Sequence, residues 1–100
     1  MKRVVITGMG INSCIGNTLE DVTHSLQNGI SGTRLNPVYA ELNFKSHVSA
    51  AAEQDFDNID RRLKRFMGVC AMYAYNSAIA AVEHAGLKPE DLAGNPRYGI

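Results

Sequence analysis

The sequence predicts an α/β fold in which short buried strands alternate with helices. Residues 4–7 (Val-Val-Ile-Thr) form a continuous apolar run that ends at a glycine, which is typical of a strand buried on both faces of a parallel sheet. Apolar residues at helical spacing predict helices over about residues 18–28 and 60–85. Alternation over residues 44–50 predicts a half-exposed strand, and residues 98–100 resemble the start of another buried strand. The order of strand, helix, strand, helix and strand favours an α/β sheet.

Local start and stop signals define the first helix and two single turns. Asn17 is a favourable N-cap, Glu20 stands three residues later as in a capping box, and the Asn-Gly pair at residues 28–29 is a natural helix stop. The Asn-Pro pair at residues 36–37 predicts one helical turn with the asparagine as its cap, because proline is tolerated at the first helical position. One more turn is predicted at residues 89–92.

The predicted helix over residues 60–85 is apolar and rich in small side chains. Asp60 and Asn58 are both plausible caps for its start, Gly86 ends it, and the Asn-Pro pair at residues 95–96 predicts a turn beyond it. We expect a helix this apolar and slim to lie between two layers of structure. Its predicted apolar face consists of Leu63, Phe66, Met67, Cys70, Ala74, Ala78, Val82 and Ala85.

Length, composition and charge narrow the classes of function. The chain has 100 residues, of which 45% are hydrophobic and 20% are charged, so it is globular material for about one domain. Ten basic residues balance ten acidic ones, which gives no overall charge for binding nucleic acid or a membrane. The apolar run near the N-terminus is too short for a signal peptide or a transmembrane helix, so a cytoplasmic location is expected.

The predicted strands and the long helix cannot cover their own apolar faces. A parallel strand is normally buried on both sides, and the last residues of the chain predict a strand that is only beginning. We therefore expect residues 1–100 to form an incomplete N-terminal part of a larger α/β protein. Downstream sequence, or another subunit, would supply the missing layers.

The glycine-rich segment after the first predicted strand favours a tight connection over nucleotide binding. Thr-Gly-Met-Gly at residues 7–10 resembles a dinucleotide-binding turn, which requires a third glycine three residues after the second. Ser13 stands at that position, and no acidic residue follows a clear second strand at the expected distance. Glycines that permit a tight turn are the favoured interpretation.

Neither the cysteines nor the histidines show a catalytic or metal-binding pattern. Cys14 lies in a loop and Cys70 on the predicted apolar helix face, so both are predicted to be free thiols with packing roles. His24, His47 and His84 lack the spacing of metal ligands, and we expect them on solvated helix faces or on the polar side of a strand. No metal site is therefore predicted.

A basic cluster marks the predicted start of the long helix. Residues 61–65 (Arg-Arg-Leu-Lys-Arg) hold four of the ten basic residues of the chain. At about 100° per residue, the four basic side chains fan across one side of a helix. They form either an ordinary solvated face or a docking patch for an anionic partner, because guanidinium groups suit phosphates and carboxylates.

A series of short motifs spans the whole chain. They are Arg-Val-Val-Ile-Thr-Gly-Met-Gly at residues 3–10, Ile-Gly-Asn at 15–17, Ser-His-Val at 46–48, Asp-Arg-Arg-x-x-Arg-Phe-Met at 60–67, Ala-Ile-Ala at 78–80, Ala-Gly-Leu at 85–87 and Asn-Pro-Arg-x-Gly at 95–99. In this order and spacing the chain resembles the N-terminus of β-ketoacyl-[acyl-carrier-protein] synthases. The Ser-His-Val and Arg-Phe-Met segments are most similar to the class I condensing enzymes of bacterial type II fatty-acid synthesis.

This resemblance implies a fold, an activity and a mode of assembly. The family has a thiolase-like fold, in which two similar halves form a five-layered α-β-α-β-α sandwich, and it works as a homodimer. A cysteine accepts the acyl group from acyl carrier protein, and two histidines assist the decarboxylation of malonyl carrier protein and the condensation. That Cys-His-His set lies downstream of the matched segment. Residues 1–100 are therefore expected to hold no catalytic residue, to bind no cofactor and to be inactive alone, since the substrates arrive on the phosphopantetheine of acyl carrier protein.

The resemblance also implies that Arg61, Arg62 and Arg65 contribute to the docking of acyl carrier protein. The family carries Asp-Arg-Lys-x-x-Arg-Phe-Met at this helix start, so Arg62 replaces a usual lysine. The replacement keeps the charge and changes the hydrogen-bond geometry. The partner would present an acidic helix and the phosphate of its phosphopantetheine arm. A non-catalytic module that binds the carrier protein is the alternative interpretation.

Overall fold

The computed structural model describes residues 2–99, which divide into two compact units. One unit comprises residues 2–11 together with residues 56–99, and the other comprises residues 12–55. The helices and strands, in chain order, are α1 (Leu19–Gln27), β1 (Arg34–Leu35), α2 (Pro37–Glu41), β2 (Val48–Ser49), α3 (Arg61–Lys64), α4 (Val69–His84) and α5 (Pro89–Leu92).

The one sheet among the described residues is a pair of two-residue antiparallel strands. β1 pairs with β2, with Arg34 opposite Ser49 and Leu35 opposite Val48. β2 falls inside the strand predicted over residues 44–50 but is much shorter. The chain therefore has both helices and strands, whereas the predicted parallel sheet is not formed within residues 2–99.

The strand predicted at residues 4–7 is wrong for the described structure. These residues pair with no strand, and the side chains of Val4, Val5 and Ile6 are 94%, 69% and 82% exposed. A strand exists only where a neighbouring strand accepts and donates its backbone hydrogen bonds, and none lies beside this segment among the described residues. Tyr98 and Gly99 are likewise not in a strand, and the rest of that prediction, Ile100, lies outside the described residues.

Helix α1 confirms the predicted first helix to within a residue at each end, but a different residue caps it. The N-cap is Thr18, whose hydroxyl oxygen accepts from the backbone N–H of Asp21 at 3.1 Å. The Thr18 hydroxyl also donates to Oδ2 of Asp21 at 2.7 Å. The predicted pair of Asn17 and Glu20 is wrong because the side chain of Asn17 is used elsewhere, its Nδ2 donating to the backbone oxygen of Glu53 at 2.5 Å.

We expect Thr18→Ala to lower the free energy of unfolding by about 1 kcal/mol, since it leaves an N-terminal N–H of α1 without its acceptor. Glu20→Ala is the matched control, because Glu20 is exposed in the same helical turn and does not take part in the cap. Denaturant titration of both variants measures the difference. If the two variants have the same unfolding midpoint, Thr18 is rejected as the cap of α1 and the predicted pair of Asn17 and Glu20 is favoured again.

Three helices end in the same hydrogen-bonded motif, with a residue in the left-handed region after the C-cap. After α4, the N–H of Gly86 donates to the oxygen of Glu83 at 2.9 Å and the N–H of Leu87 donates to the oxygen of Val82 at 3.1 Å. This is the Schellman arrangement, which satisfies carbonyls that the helix leaves free. Gly29, Asn43 and Gly86 hold the left-handed position, with φ of 63°, 54° and 69°. The helix stops predicted at residues 28–29 and at Gly86 are confirmed.

The three short turns predicted at residues 36–37, 89–92 and 95–96 are also confirmed. The side chain of Asn36 accepts from the N–H of Val38 at 3.1 Å and caps α2. The α5 turn occupies the predicted residues 89–92. Oδ1 of Asn95 accepts from the N–H of Arg97 at 3.1 Å, which forms the turn predicted at residues 95–96.

The single helix predicted over residues 60–85 is wrong, because the chain forms two helices there. α3 and α4 are separated by residues 65–68, and Gly68 is the N-cap of α4 with φ −73° and ψ 165°. Glycine is a poor residue for a helix interior, since it loses more backbone freedom on ordering than other residues. A periodic apolar pattern alone did not show this break.

One side of α4 is covered by the chain near the N-terminus. A Cβ added at Gly8 or Gly10 would meet backbone atoms of α4, including the N of Ala81 at 2.8 Å from a Cβ on Gly10. The N–H of Met9 donates to Nδ1 of His84 at 3.0 Å. The two glycines therefore serve close backbone packing, whereas the tight turn predicted from the sequence is not seen, since neither glycine has a positive φ.

The other side of α4 is exposed in the described structure. Cys70, Ala74 and Ala78, which belong to the predicted apolar face, are all exposed, and Phe66 is 89% exposed. The expected second covering layer is thus not supplied by residues 2–99. Within the described part of the chain, no helix is both long and apolar enough to cross a lipid bilayer.

Candidate functional site

The basic cluster lies on α3, whose start is fixed by Asp60. The carboxylate Oδ1 of Asp60 accepts from the N–H of Arg62 at 2.6 Å, and its backbone oxygen accepts from the N–H of Lys64 at 3.0 Å. Asp60 was one of the two caps predicted from the sequence, and this choice is confirmed. The carboxylate of Asp60, which precedes Arg61 in the chain, is therefore engaged by the backbone.

Arg61, Arg62 and Arg65, here called the arginine surface, lie together around one concavity. With Asp60 they line a surface depression of about 400 Å³. All three arginines are exposed, and none forms an ion pair with another residue between 2 and 99. Three unpaired guanidinium groups beside one depression can hold phosphate or carboxylate oxygens by paired N–H donors. Anions are the ligands that such groups suit.

Lys64 does not join the arginine surface. Its Nζ lies 3.6 Å from Oδ1 of Asp57, and its side chain is 31% exposed. The fan of four basic side chains predicted from the sequence is therefore reduced to three. The reason is that Asp57, seven residues earlier in the chain, lies within ion-pair distance of Lys64.

The segment that precedes α3 is joined to α4 by two side-chain contacts and contains a buried isoleucine. The rings of Phe56 and Tyr73 meet edge to face, with centroids 5.0 Å apart and planes at 78°. Ile59 is 3% exposed, which makes it the most buried of the core residues. Nδ2 of Asn58 donates to Oδ1 of Asn76 at 2.9 Å. Sequence patterns did not predict these contacts, because each joins residues far apart in the chain.

The two cysteines differ in their surroundings. Cys14 is half-buried, and a Cβ added to the buried Gly32 would come within 2.6 Å of its sulfur, so Cys14 packs tightly as predicted. Cys70 is exposed, and the prediction of a buried thiol there is wrong because no described residue covers that face of α4. His24 and His84 are exposed, as predicted.

The unit of residues 12–55 contains a second, polar cavity of about 370 Å³. Its lining includes the sulfur-bearing Cys14 together with His24, Asp21, Arg34 and Glu53. Local sequence did not indicate that a histidine would share a cavity with Cys14. Between residues 2 and 99, no three histidine, cysteine, aspartate or glutamate side chains gather as a metal site would require.

The family to which the chain belongs follows from comparison with known proteins. The family model described as the N-terminal domain of β-ketoacyl synthase matches residues 1–100, so the chain is a member of that family. The resemblance inferred from the ordered motifs is thereby confirmed.

Individual relatives agree with the class I type inferred from the sequence. The chain is 46% identical to 3-oxoacyl-[acyl-carrier-protein] synthase 1 of Haemophilus influenzae and 42% identical to the protein of the same name from Escherichia coli K12, each over 101 residues. It is 33% identical to 3-oxoacyl-[acyl-carrier-protein] synthase 2 of Coxiella burnetii over 102 residues. The first two alignments cover 100% of this chain and 25% of the relative, and the third covers 99% and 24%. The chain thus spans about a quarter of the length of the curated relatives it matches.

Proposed function

We propose that the protein is a β-ketoacyl-[acyl-carrier-protein] synthase, to which residues 1–100 contribute N-terminal scaffold and a docking surface. The observation that supports this most strongly is the match of the whole chain to relatives named 3-oxoacyl-[acyl-carrier-protein] synthase. In the proposed reaction, the α-carbon of a malonyl thioester forms a bond to the carbonyl carbon of an acyl thioester. The bond from that α-carbon to the malonyl carboxylate breaks and releases CO₂, and the thiol that carried the acyl group leaves.

The fold of the complete protein is proposed to be the thiolase-like five-layered sandwich, assembled as a cytoplasmic homodimer. Two features of the chain support the further layers of such a sandwich. Val4, Val5 and Ile6 expose a row of apolar, β-prone side chains, and α4 exposes its small-residue side. An apolar, β-prone segment and a helix with an exposed small-residue side are stable when further layers cover them. No step of the reaction is assigned to Cys14 or Cys70, and no cofactor is proposed for this chain.

The arginine surface is proposed to bind acyl carrier protein. Its three exposed guanidinium groups lack acidic partners among the described residues. Such groups are free to meet the carboxylates of an acidic helix and the phosphate of phosphopantetheine. Docking of this type acts chiefly on the rate of encounter, because complementary charges steer diffusion.

Condensation assays test the proposed activity. We expect the full-length protein to form 3-oxoacyl-[acyl-carrier-protein] and CO₂ from acyl and malonyl carrier proteins, and we expect residues 1–100 alone to form none. Product from residues 1–100 alone would overturn the placement of catalysis outside this segment. Tight, salt-sensitive binding of carrier protein by folded residues 1–100, with no condensation by the full-length protein, would favour a non-catalytic binding module.

A further inference from the structure

The arginine surface is carried by a helix that is too short to orient itself. α3 has four residues, and none of them is buried. A single helical turn is unstable alone, because fixing its backbone costs more than its few hydrogen bonds return. The direction in which Arg61, Arg62 and Arg65 project must therefore be set by the chain that flanks α3.

A directed hydrogen bond ties that flanking chain to α4. Asn58 stands two residues before the N-cap Asp60, and its Nδ2 donates to Oδ1 of Asn76 at 2.9 Å. Asn76 is the buried residue of α4, at 7% exposure, whereas Asn58 is exposed. To the aromatic contact and the buried isoleucine on the same segment, this hydrogen bond adds a constraint that is directional in both distance and angle. The amide pair therefore fixes the register of the segment on α4.

Asn76 is a poor choice of residue for stability alone. Its Nδ2 is buried and has no hydrogen-bond partner among the described residues. Burying an unpaired amide donor is unfavourable, and a leucine of similar size would remove that burden. A buried polar pair can hold the register between two segments at a cost in stability, and the Asn58–Asn76 bond has this character.

We propose that Asn76 is a positioning residue for the arginine surface. Through its bond to Asn58 it fixes the residues before α3 on α4, and so it fixes the direction of the three guanidinium groups. The inference rests on the proposed docking of acyl carrier protein to that surface. It goes beyond that docking by assigning a role to a residue that itself contacts no partner.

The substitution Asn76→Leu in the full-length protein separates positioning from stability. We expect its melting temperature to stay equal or to rise, because the unpaired amide is removed. We expect its association rate with acyl carrier protein at low ionic strength to fall about threefold, with a weaker dependence on salt. In steady-state condensation, KM for the carrier substrate should rise while kcat is retained. Calorimetry and stopped-flow fluorescence measure these quantities.

Three further variants make the result decisive. Asn58→Ala removes the same bond from the exposed side, so it should slow association to the same extent, and the double variant should be no slower than either single one. The variant Arg61→Glu/Arg62→Glu/Arg65→Glu reports on the docking surface itself.

If that triple variant associates slowly while both asparagine variants match the parent, the positioning role is overturned and docking stands. If the triple variant also matches the parent, docking fails and the inference fails with it. A fall in melting temperature in proportion to the slower association would also overturn positioning, since it is what a purely structural role predicts.

Discussion

Reversing the three charges of the arginine surface is expected to slow the association of acyl carrier protein by roughly 100-fold at low ionic strength. The variant is Arg61→Glu/Arg62→Glu/Arg65→Glu, in which attraction to an acidic partner becomes repulsion. The effect should be large because none of the three guanidinium groups is neutralised by an acidic side chain within the described residues. Stopped-flow mixing with labelled carrier protein gives the association rate directly.

Salt dependence distinguishes this mechanism from a loss of folding. Charges steer an approaching protein over about 10 Å at an ionic strength of 0.1 M and over much less at 1 M. The difference between the triple variant and the parent should therefore shrink as salt is added. Lys45→Glu is the control, because Lys45 is exposed and lies outside the basic cluster of residues 61–65. A triple variant that associates as fast as the Lys45→Glu control at low salt would remove the arginine surface from the docking proposal.

Elements set by local signals were predictable from the sequence. Helix α1 and its end at Gly29, the capped turn at α2 and the end of α4 at Gly86 all follow from apolar spacing, a cap or a left-handed residue. Each signal acts within about one helical turn, so neighbouring residues suffice to recognise it. The basic cluster was visible for the same reason.

Features that depend on distant residues were not predictable. Thr18 replaced Asn17 as the cap of α1 because Asn17 bonds to a backbone oxygen 36 residues away. Lys64 pairs with Asp57 and so does not belong to the arginine surface, and the hydrogen bond from Asn58 to Asn76 spans 18 residues. The run at residues 4–7 has strong β-propensity, yet a strand also needs a neighbour, which no local pattern can supply.

The substitution Gly10→Ala is expected to lower the free energy of unfolding by about 3 kcal/mol. A Cβ at this position would overlap the backbone oxygen of Ser77 and lie 2.8 Å from the N of Ala81. Both atoms belong to the backbone of α4, so no flexible side chain can move aside. The segment of residues 8–10 would have to lift away from α4, which would weaken the bond from Met9 to His84 as well. Denaturant titration of the full-length protein measures the loss.

Gly99→Ala separates this steric effect from the general cost of replacing glycine. Among residues 2–99, no atom lies within 4 Å of a Cβ built on Gly99, and the φ of Gly99 is outside the left-handed region. Its free energy of unfolding should change by no more than about 0.5 kcal/mol, as for other exposed positions. A Gly10→Ala protein as stable as the Gly99→Ala protein would show that the N-terminal segment does not pack on α4 in the way described. A large loss at Gly10 alone is the result that the close backbone approach of Gly10 to α4 predicts.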